Sequence, residues 1–282
     1  MLFILKSKLI PRKYKPLIED ISSYLRWYKN NFYSYIKYQQ ATNEEQQIVQ
    51  NSAIFLMRSL QRSRFLLQDF IHALKINDPL LGSLCTRAHL EVTGAVAHYY
   101  LNTVRFQQQK INIEELDLLL RQLSLGGRTF PDKNKPQFSH RPDAINVLSF
   151  IDSLDKLFKE MGSPLKAPFR DEYDFLSEIC HPNFLGMTFG SDIILGWGVY
   201  LYRHPKFNKH DYQTLLGNIV ISCSMFKHAY CKCFDVLKNI APLPEFKSIS
   251  YMKFRYISAW AKLQDRIHHK NISANGSSLK SA

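Results

Sequence analysis

Apolar residues recur along this chain at helical spacing, in long blocks separated by proline, glycine and polar punctuation. From Leu17 to about Tyr38, residues Ile18, Ile21, Tyr24, Leu25, Tyr28, Phe32, Tyr35 and Ile36 fall on one broad face and predict an aromatic-rich helix. Ile48 to Leu74 predicts a second, longer helix through Ile54, Leu56, Leu60, Phe65, Leu66, Phe70 and Ile71. Asp78-Pro79 punctuates it and opens a third helix from Leu80 to about Phe106, because proline at a first-turn position loses no hydrogen bond. A shorter helix, Ile113–Leu123, is stopped by Gly126-Gly127.

The stretch 127–142 is polar, holds three prolines and shows no period, so it predicts a long central loop. Pro142-Asp143 opens a further amphipathic helix through Met161, and a break at Gly162–Pro168 precedes another helix ending at His181-Pro182. The apolar stretch 184–202 is interrupted by Asp192 and four glycines, which reads as a buried segment or loop-helix rather than a membrane span. Tyr212–Ile240 and Tyr251–His269 complete the helices, with the stiff turn Ala241-Pro242-Leu243-Pro244 between them. No run alternates as a strand does. The expectation is an all-α multi-helix bundle at 46–270, preceded by a basic, aromatic helical extension at 1–45 and followed by a disordered tail at 271–282.

Composition adds a direction for function. The 282 residues are 45% hydrophobic and 22% charged, as in an ordinary folded domain, but carry a net charge of +13. That surplus favours RNA or another nucleic acid, anionic lipid or an acidic partner protein, although a lysine-rich composition alone could produce it. Basic and aromatic residues alternate in Lys13-Tyr14-Lys15, Arg26-Trp27-Tyr28-Lys29 and Lys253-Phe254-Arg255-Tyr256, a mixture that suits phosphate contact plus base stacking and equally suits a solvated amphipathic face. The five cysteines are odd in number and embedded in helical patterns, so a reducing cytoplasm is expected rather than a disulfide framework.

The densest chemistry lies at 170–183. On one helix, Tyr173, Ser177 and Cys180 or His181 share a stripe, and Asp174, Glu178 and His181 share the next. His181 sits at the helix C-terminus, where the dipole favours a protonated ring, and such an imidazole can serve as general acid or base or simply cap the helix. A second constellation, Arg87, His89, Glu91 and His98, lies on the third helix beside the small residues Thr93-Gly94-Ala95, which permit close approach of another helix. Arg87 and Glu91 are four apart and pair naturally; partly buried, they need partners across the bundle, for which Tyr173, Asp174, Glu178 and His181 are the candidates.

Metal chemistry is less well supported. Glu178-x-x-His181 has the spacing of a di-iron bundle, but that site needs a second such pair and two further glutamates, and the nearest analogue is Asp69-x-x-His72. Cys231 and Cys233 point about 200° apart on one helix and cannot converge on an ion. Phosphate-binding glycine loops, dinucleotide fingerprints, nucleophile elbows and kinase motifs are missing, so no cofactor is expected.

The segments Arg87-Ala88-His89-Leu90-Glu91 and Tyr173-Asp174-Phe175-Leu176-Ser177-Glu178-Ile179-Cys180-His181-Pro182 resemble a group of uncharacterised bacterial helical proteins with an Arg/Glu motif followed by Tyr-x-x-Leu-Ser-x-x-x-His-Pro. That group is similar to the HEPN superfamily (higher eukaryote and prokaryote nucleotide-binding), all-α bundles that include toxin and antiviral ribonucleases. The resemblance covers about 51–240. It implies a metal-independent ribonuclease in which His181 is the general acid or base, Arg87 stabilises phosphorane charge, and Glu91, Glu178, Tyr173 and His89 complete the site. The chain departs from the family at its arginine, which family members carry on the histidine's own helix, four to six residues away. Here Arg170 precedes His181 by ten intervening residues, so Arg87 from a neighbouring helix would have to replace it. The alternative is a non-catalytic helical module binding nucleic acid or a partner protein, with the polar cluster structural; a homodimer is the expected assembly.

Overall fold

The computed structural model describes residues 12–33, 35–37, 39–126, 142–162, 168–183, 186, 191–194, 199–202, 207 and 209–247. Among them are seven α-helices: α1 Lys15–Asn31, α2 Glu44–Ile76, α3 Pro79–Gln107, α4 Ile113–Leu125, α5 Val147–Glu160, α6 Pro168–Cys180 and α7 Lys209–Ile240. A 3-10 turn, Arg12–Tyr14, leads into α1. The protein is all-α, as the periodicity implies. The expected helix Tyr251–His269, the tail 271–282 and nearly all of the central loop, 127–141, lie outside the described residues.

Helix boundaries follow their caps. Asn43 accepts from the Gln46 backbone N–H at 2.8 Å to start α2. At its end Asn77 adopts the left-handed conformation (φ 61°, ψ 43°), which asparagine tolerates better than most residues. The next residue, Asp78, caps α3 by accepting from Leu81 N–H at 3.0 Å. This two-residue joint folds α3 back against α2, so Ser63 meets His89 and Ser52 meets Tyr99. A capping box between Asn112 and Glu115 starts α4.

Helix α3 is the hub, touching α2, α4, α5, α6 and α7. Helix α7 runs parallel to it: a Cβ at Gly82 would meet Leu215, His89 bonds Ser222, and the Gln107 amide reaches the Val236 carbonyl. On another side, α5 comes so close at Gly94 that a Cβ there would lie 2.7 Å from the Phe150 carbonyl oxygen. The small Thr93-Gly94-Ala95 run is therefore the place where one helix backbone approaches another. Helix α6 lies antiparallel to α3 beside α5, and Asp155 of α5 ties it down by accepting from the Phe169 and Arg170 N–H groups at 2.9 and 3.1 Å. A carboxylate at two orphan donors of a helix start satisfies both hydrogen bonding and the dipole.

Three expected boundaries are corrected. Helix α1 stops at Asn31 instead of about Tyr38, because the aromatic and β-branched residues after Phe32 form a strand, β1 Tyr35–Lys37. Helix α5 starts at Val147, where Asn146 accepts from Leu148 N–H, not at Pro142. Within 184–202 the chain forms a hairpin of two strands, β2 Ser191–Ile194 and β3 Val199–Tyr202, rather than a loop-helix; their register pairs Ser191 with Tyr202 and Ile194 with Val199. The Val/Tyr and Ile content of these segments, framed by glycines, suits strands once helix length is denied.

The chain divides into two compact units, one built from residues up to Phe32 and from Tyr38 to Pro244, the other from Tyr33–Lys37 and the chain after Pro244. Helix α1, from the stretch read as an extension, belongs to the first unit and buries Ile21 and Tyr28 completely. The second unit shows an antiparallel ribbon of β1 with β4 Glu245–Lys247, registered Ile36 to Phe246, with the Tyr33 and Phe246 rings 5.2 Å apart.

Candidate functional site

Helices α3 and α6 bring four of the polar residues together. Arg87 and Glu91 project one turn apart from α3, and Tyr173 and Ser177 project one turn apart from α6. The Arg87 guanidinium engages all three of its nitrogens: Nε donates to Ser177 Oγ at 3.1 Å, Nη2 to Tyr173 Oη at 2.7 Å, and Nη1 lies 3.2 Å from Glu91 Oε1. The Tyr173 hydroxyl then donates to the same Glu91 oxygen at 3.0 Å, closing a ring of three residues. The Arg87 guanidinium carbon also sits 4.9 Å from the Tyr173 ring centroid, within cation–π range.

The cluster is half-sheltered. Arg87 and Glu91 side chains keep 25% and 28% of their exposure, and Tyr173 is buried. Burial pushes the Tyr173 phenol upward, the Glu91 charge and its hydrogen bond add to that, and Arg87 opposes it. Cys180, one turn beyond Ser177, has its thiol raised chiefly by burial, with Arg87 lowering it and Glu91 raising it. The electrostatic reach of the pair therefore extends to the end of α6.

The remaining predicted residues are distributed elsewhere. His181 follows the last helical residue; its backbone N–H bonds the Ser177 carbonyl at 3.0 Å, and its side chain is exposed with no hydrogen bond or ion pair to the cluster among the described residues. Glu178 is exposed and accepts from the Asn183 amide at 2.5 Å. Asp174 and Arg170 pair with each other at 3.2 Å, and Arg170 also reaches Asp152 at 3.1 Å, so neither joins Arg87. His98 bonds Ser153 of α5 at 2.7 Å.

His89 belongs to a different environment. Two residues from Arg87 on a helix is about 200° of rotation, which turns His89 toward α2 and α7. Its imidazole is fully buried, with Nε2 2.7 Å from Ser63 Oγ and Nδ1 2.7 Å from Ser222 Oγ. Tyr28 joins Ser63 at 2.6 Å, and Thr93 lies 3.1 Å from Ser222. Burial alone holds the imidazole down to about 3, so it is neutral, donating through one ring nitrogen and accepting through the other. Its neighbours are neutral as well: burial raises the Tyr28 phenol and pushes the Cys223 thiol up to about 12.

Ser63, Ser222, Thr93 and Tyr28 carry no motif, and their joint role emerges only when four helices meet. The one available sign is small polar residues on otherwise apolar helix faces, as Ser63 between Leu60 and Leu67. Among the described residues no three His, Cys, Asp or Glu side chains gather as a metal site, and no helix is long and apolar enough to cross a membrane. Cys231 is exposed and Cys233 buried, as their opposite directions on α7 require. Compared with known proteins, the chain matches no family model, no curated protein and no solved structure.

Proposed function

We propose that this protein is a non-catalytic helical module that binds nucleic acid through its basic surface, with the α3–α6 polar cluster serving as an internal lock. The carrying observation is the state of Arg87, whose three nitrogens are all engaged by Glu91, Tyr173 and Ser177 of its own bundle. An arginine that stabilises transition-state charge must aim donors at the reacting phosphate, and a general acid or base must stand within hydrogen-bond reach of the same atoms. The +13 charge supplies the attraction for a polyanion, and the free cysteines fit a reducing cytoplasm.

A metal-independent ribonuclease of toxin or antiviral type, implied by the HEPN resemblance, is the second reading. It is favoured by the quarter exposure retained by Arg87 and Glu91 and by the continuation of the stripe past Cys180 to His181. One experiment separates the two. Mixed RNA is incubated with the purified chain, with EDTA and separately with magnesium, while binding is followed by anisotropy. The module reading expects salt-sensitive binding with intact RNA, unaffected by His181→Ala. Cleavage that disappears in His181→Ala at unchanged melting temperature establishes the nuclease instead.

A further inference from the structure

On the outer side of α2, Arg58, Gln61, Arg62 and Phe65 are all exposed and lie on one stripe at helical spacing, with the Phe65 ring half exposed at 50%. From Gln46 to Gln68 this helix contains no acidic residue, and its cations are all arginines: Arg58, Arg62 and Arg64. Arg64 is taken up by the Phe32 ring, 5.5 Å away. Arg58 and Arg62 have no hydrogen bond or ion pair among the described residues, whereas carboxylates hold Arg87, Arg121 and Arg170.

Two unpaired guanidinium groups one turn apart, about 6 Å along the axis, next to an exposed phenyl ring, form a small surface of defined chemistry. Guanidinium groups bind phosphates through paired donors and are weakly hydrated, so desolvating them on a partner costs less than for lysine. An exposed aromatic face beside them offers stacking to a base, and only an unpaired strand presents a free base face. We infer that the Arg58–Arg62–Phe65 stripe of α2 is a contact surface for single-stranded nucleic acid, the arginines holding successive phosphates and Phe65 stacking on a base. This rests on the proposal that the chain binds nucleic acid, and it names where and in which form.

The test uses the full chain and a fluorescein-labelled single-stranded RNA of mixed sequence, titrated by anisotropy over a range of potassium chloride. DNA of the same sequence and the corresponding RNA duplex serve as competitors. Arg58→Gln/Arg62→Gln is expected to reduce the slope of log affinity against log salt by about 1.4, two phosphates at about 0.7 each on a single strand. Phe65→Ala is expected to weaken binding roughly 5- to 150-fold, the cost of one base–aromatic stack, with the slope unchanged. All three sites are exposed, so melting temperatures should stay close to wild type. Equal losses from Arg26→Gln/Lys29→Gln on α1 overturn the assignment, as does a duplex that competes as well as the single strand. A wild type that binds while the α2 variants bind equally well overturns this surface alone. A wild type that binds no nucleic acid overturns the broader proposal with it, and loss of a captured protein partner in the α2 variants would then assign the stripe to protein.

Discussion

A hydroxyl group that accepts from a cation and donates to an anion within one triangle occupies its only proton and one lone pair, and Tyr173 is in that position between Arg87 and Glu91. Tyr173→Phe keeps the ring under the guanidinium and removes both hydrogen bonds. A loss of about 1 to 2 kcal/mol in unfolding free energy is expected from a urea titration, since each bond nets about 1 and the partial exposure of Arg87 and Glu91 lets water replace part of it. Arg87→Ala should cost more than Tyr173→Phe, because it strands Glu91 and the phenol together. If the two hydroxyl bonds are an accident of packing, Tyr173→Phe will unfold with wild-type parameters. The i, i+4 pairs Arg87/Glu91 and Tyr173/Ser177 were legible in the sequence because each lies on one helix face. Which face met which was not: Asp174 and Glu178 looked equally eligible, but packing placed the Tyr173/Ser177 stripe against α3 and left Asp174 and Glu178 exposed to their local partners Arg170 and Asn183.

Between elements, α5 is held by two local devices, one to α6 and one to α3, and each yields a prediction. Asp155 replaces an N-cap from the neighbouring helix, so Asp155→Ala should destabilise the start of α6 by about 1 to 2 kcal/mol. Hydrogen exchange at Phe169–Asp174 should quicken first, ahead of α2 and α7; uniform acceleration everywhere would show the cap to be inessential to α6. Gly94→Ala places a methyl 2.7 Å from the Phe150 carbonyl, a contact with backbone that cannot swing aside. Its expected cost of about 1 to 3 kcal/mol outweighs the few tenths to 1 kcal/mol that alanine restores to a helix, so thermal unfolding should come earlier. Helix existence was readable from period and punctuation, as at Asp78-Pro79 and Gly126-Gly127, whereas the caps Asn43 and Asn112 emerged only from the structure. The strands were not: Tyr35 and Ile36 also fit helix spacing and their partner Glu245–Lys247 lies far along the chain, while the Ile, Val and Tyr residues of 191–202, which pair locally, suit a buried helical segment and a strand alike.

At the scale of the whole first unit, the His89 network joins α1, α2, α3 and α7 through Tyr28, Ser63, Ser222 and Thr93, so its protonation affects the core and not one helix. The folded imidazole is held at about 3, below the ordinary 6.5. An unfolded chain therefore takes up this proton from about pH 6.5 downward while the folded one does not, and stability must fall with pH across that interval. The contribution is complete above pH 6.5, declines as pH falls towards 3, and is lost by then to the extent of roughly 5 kcal/mol. Between pH 7 and 5, before most carboxylates titrate, the share is about 2 kcal/mol. The groups facing the ring are hydroxyls and the neutral Cys223 thiol, with no carboxylate to rescue the charged form. His89→Gln keeps a donor and an acceptor for Ser63 and Ser222 and carries no titratable proton, so it should be less stable at pH 7 yet lose about 2 kcal/mol less on moving to pH 5. Urea titrations at the two pH values measure this difference directly. Parallel losses in wild type and His89→Gln would mean that the imidazole is already protonated or hydrated in the folded core, and that the four helices are joined by something other than a neutral histidine.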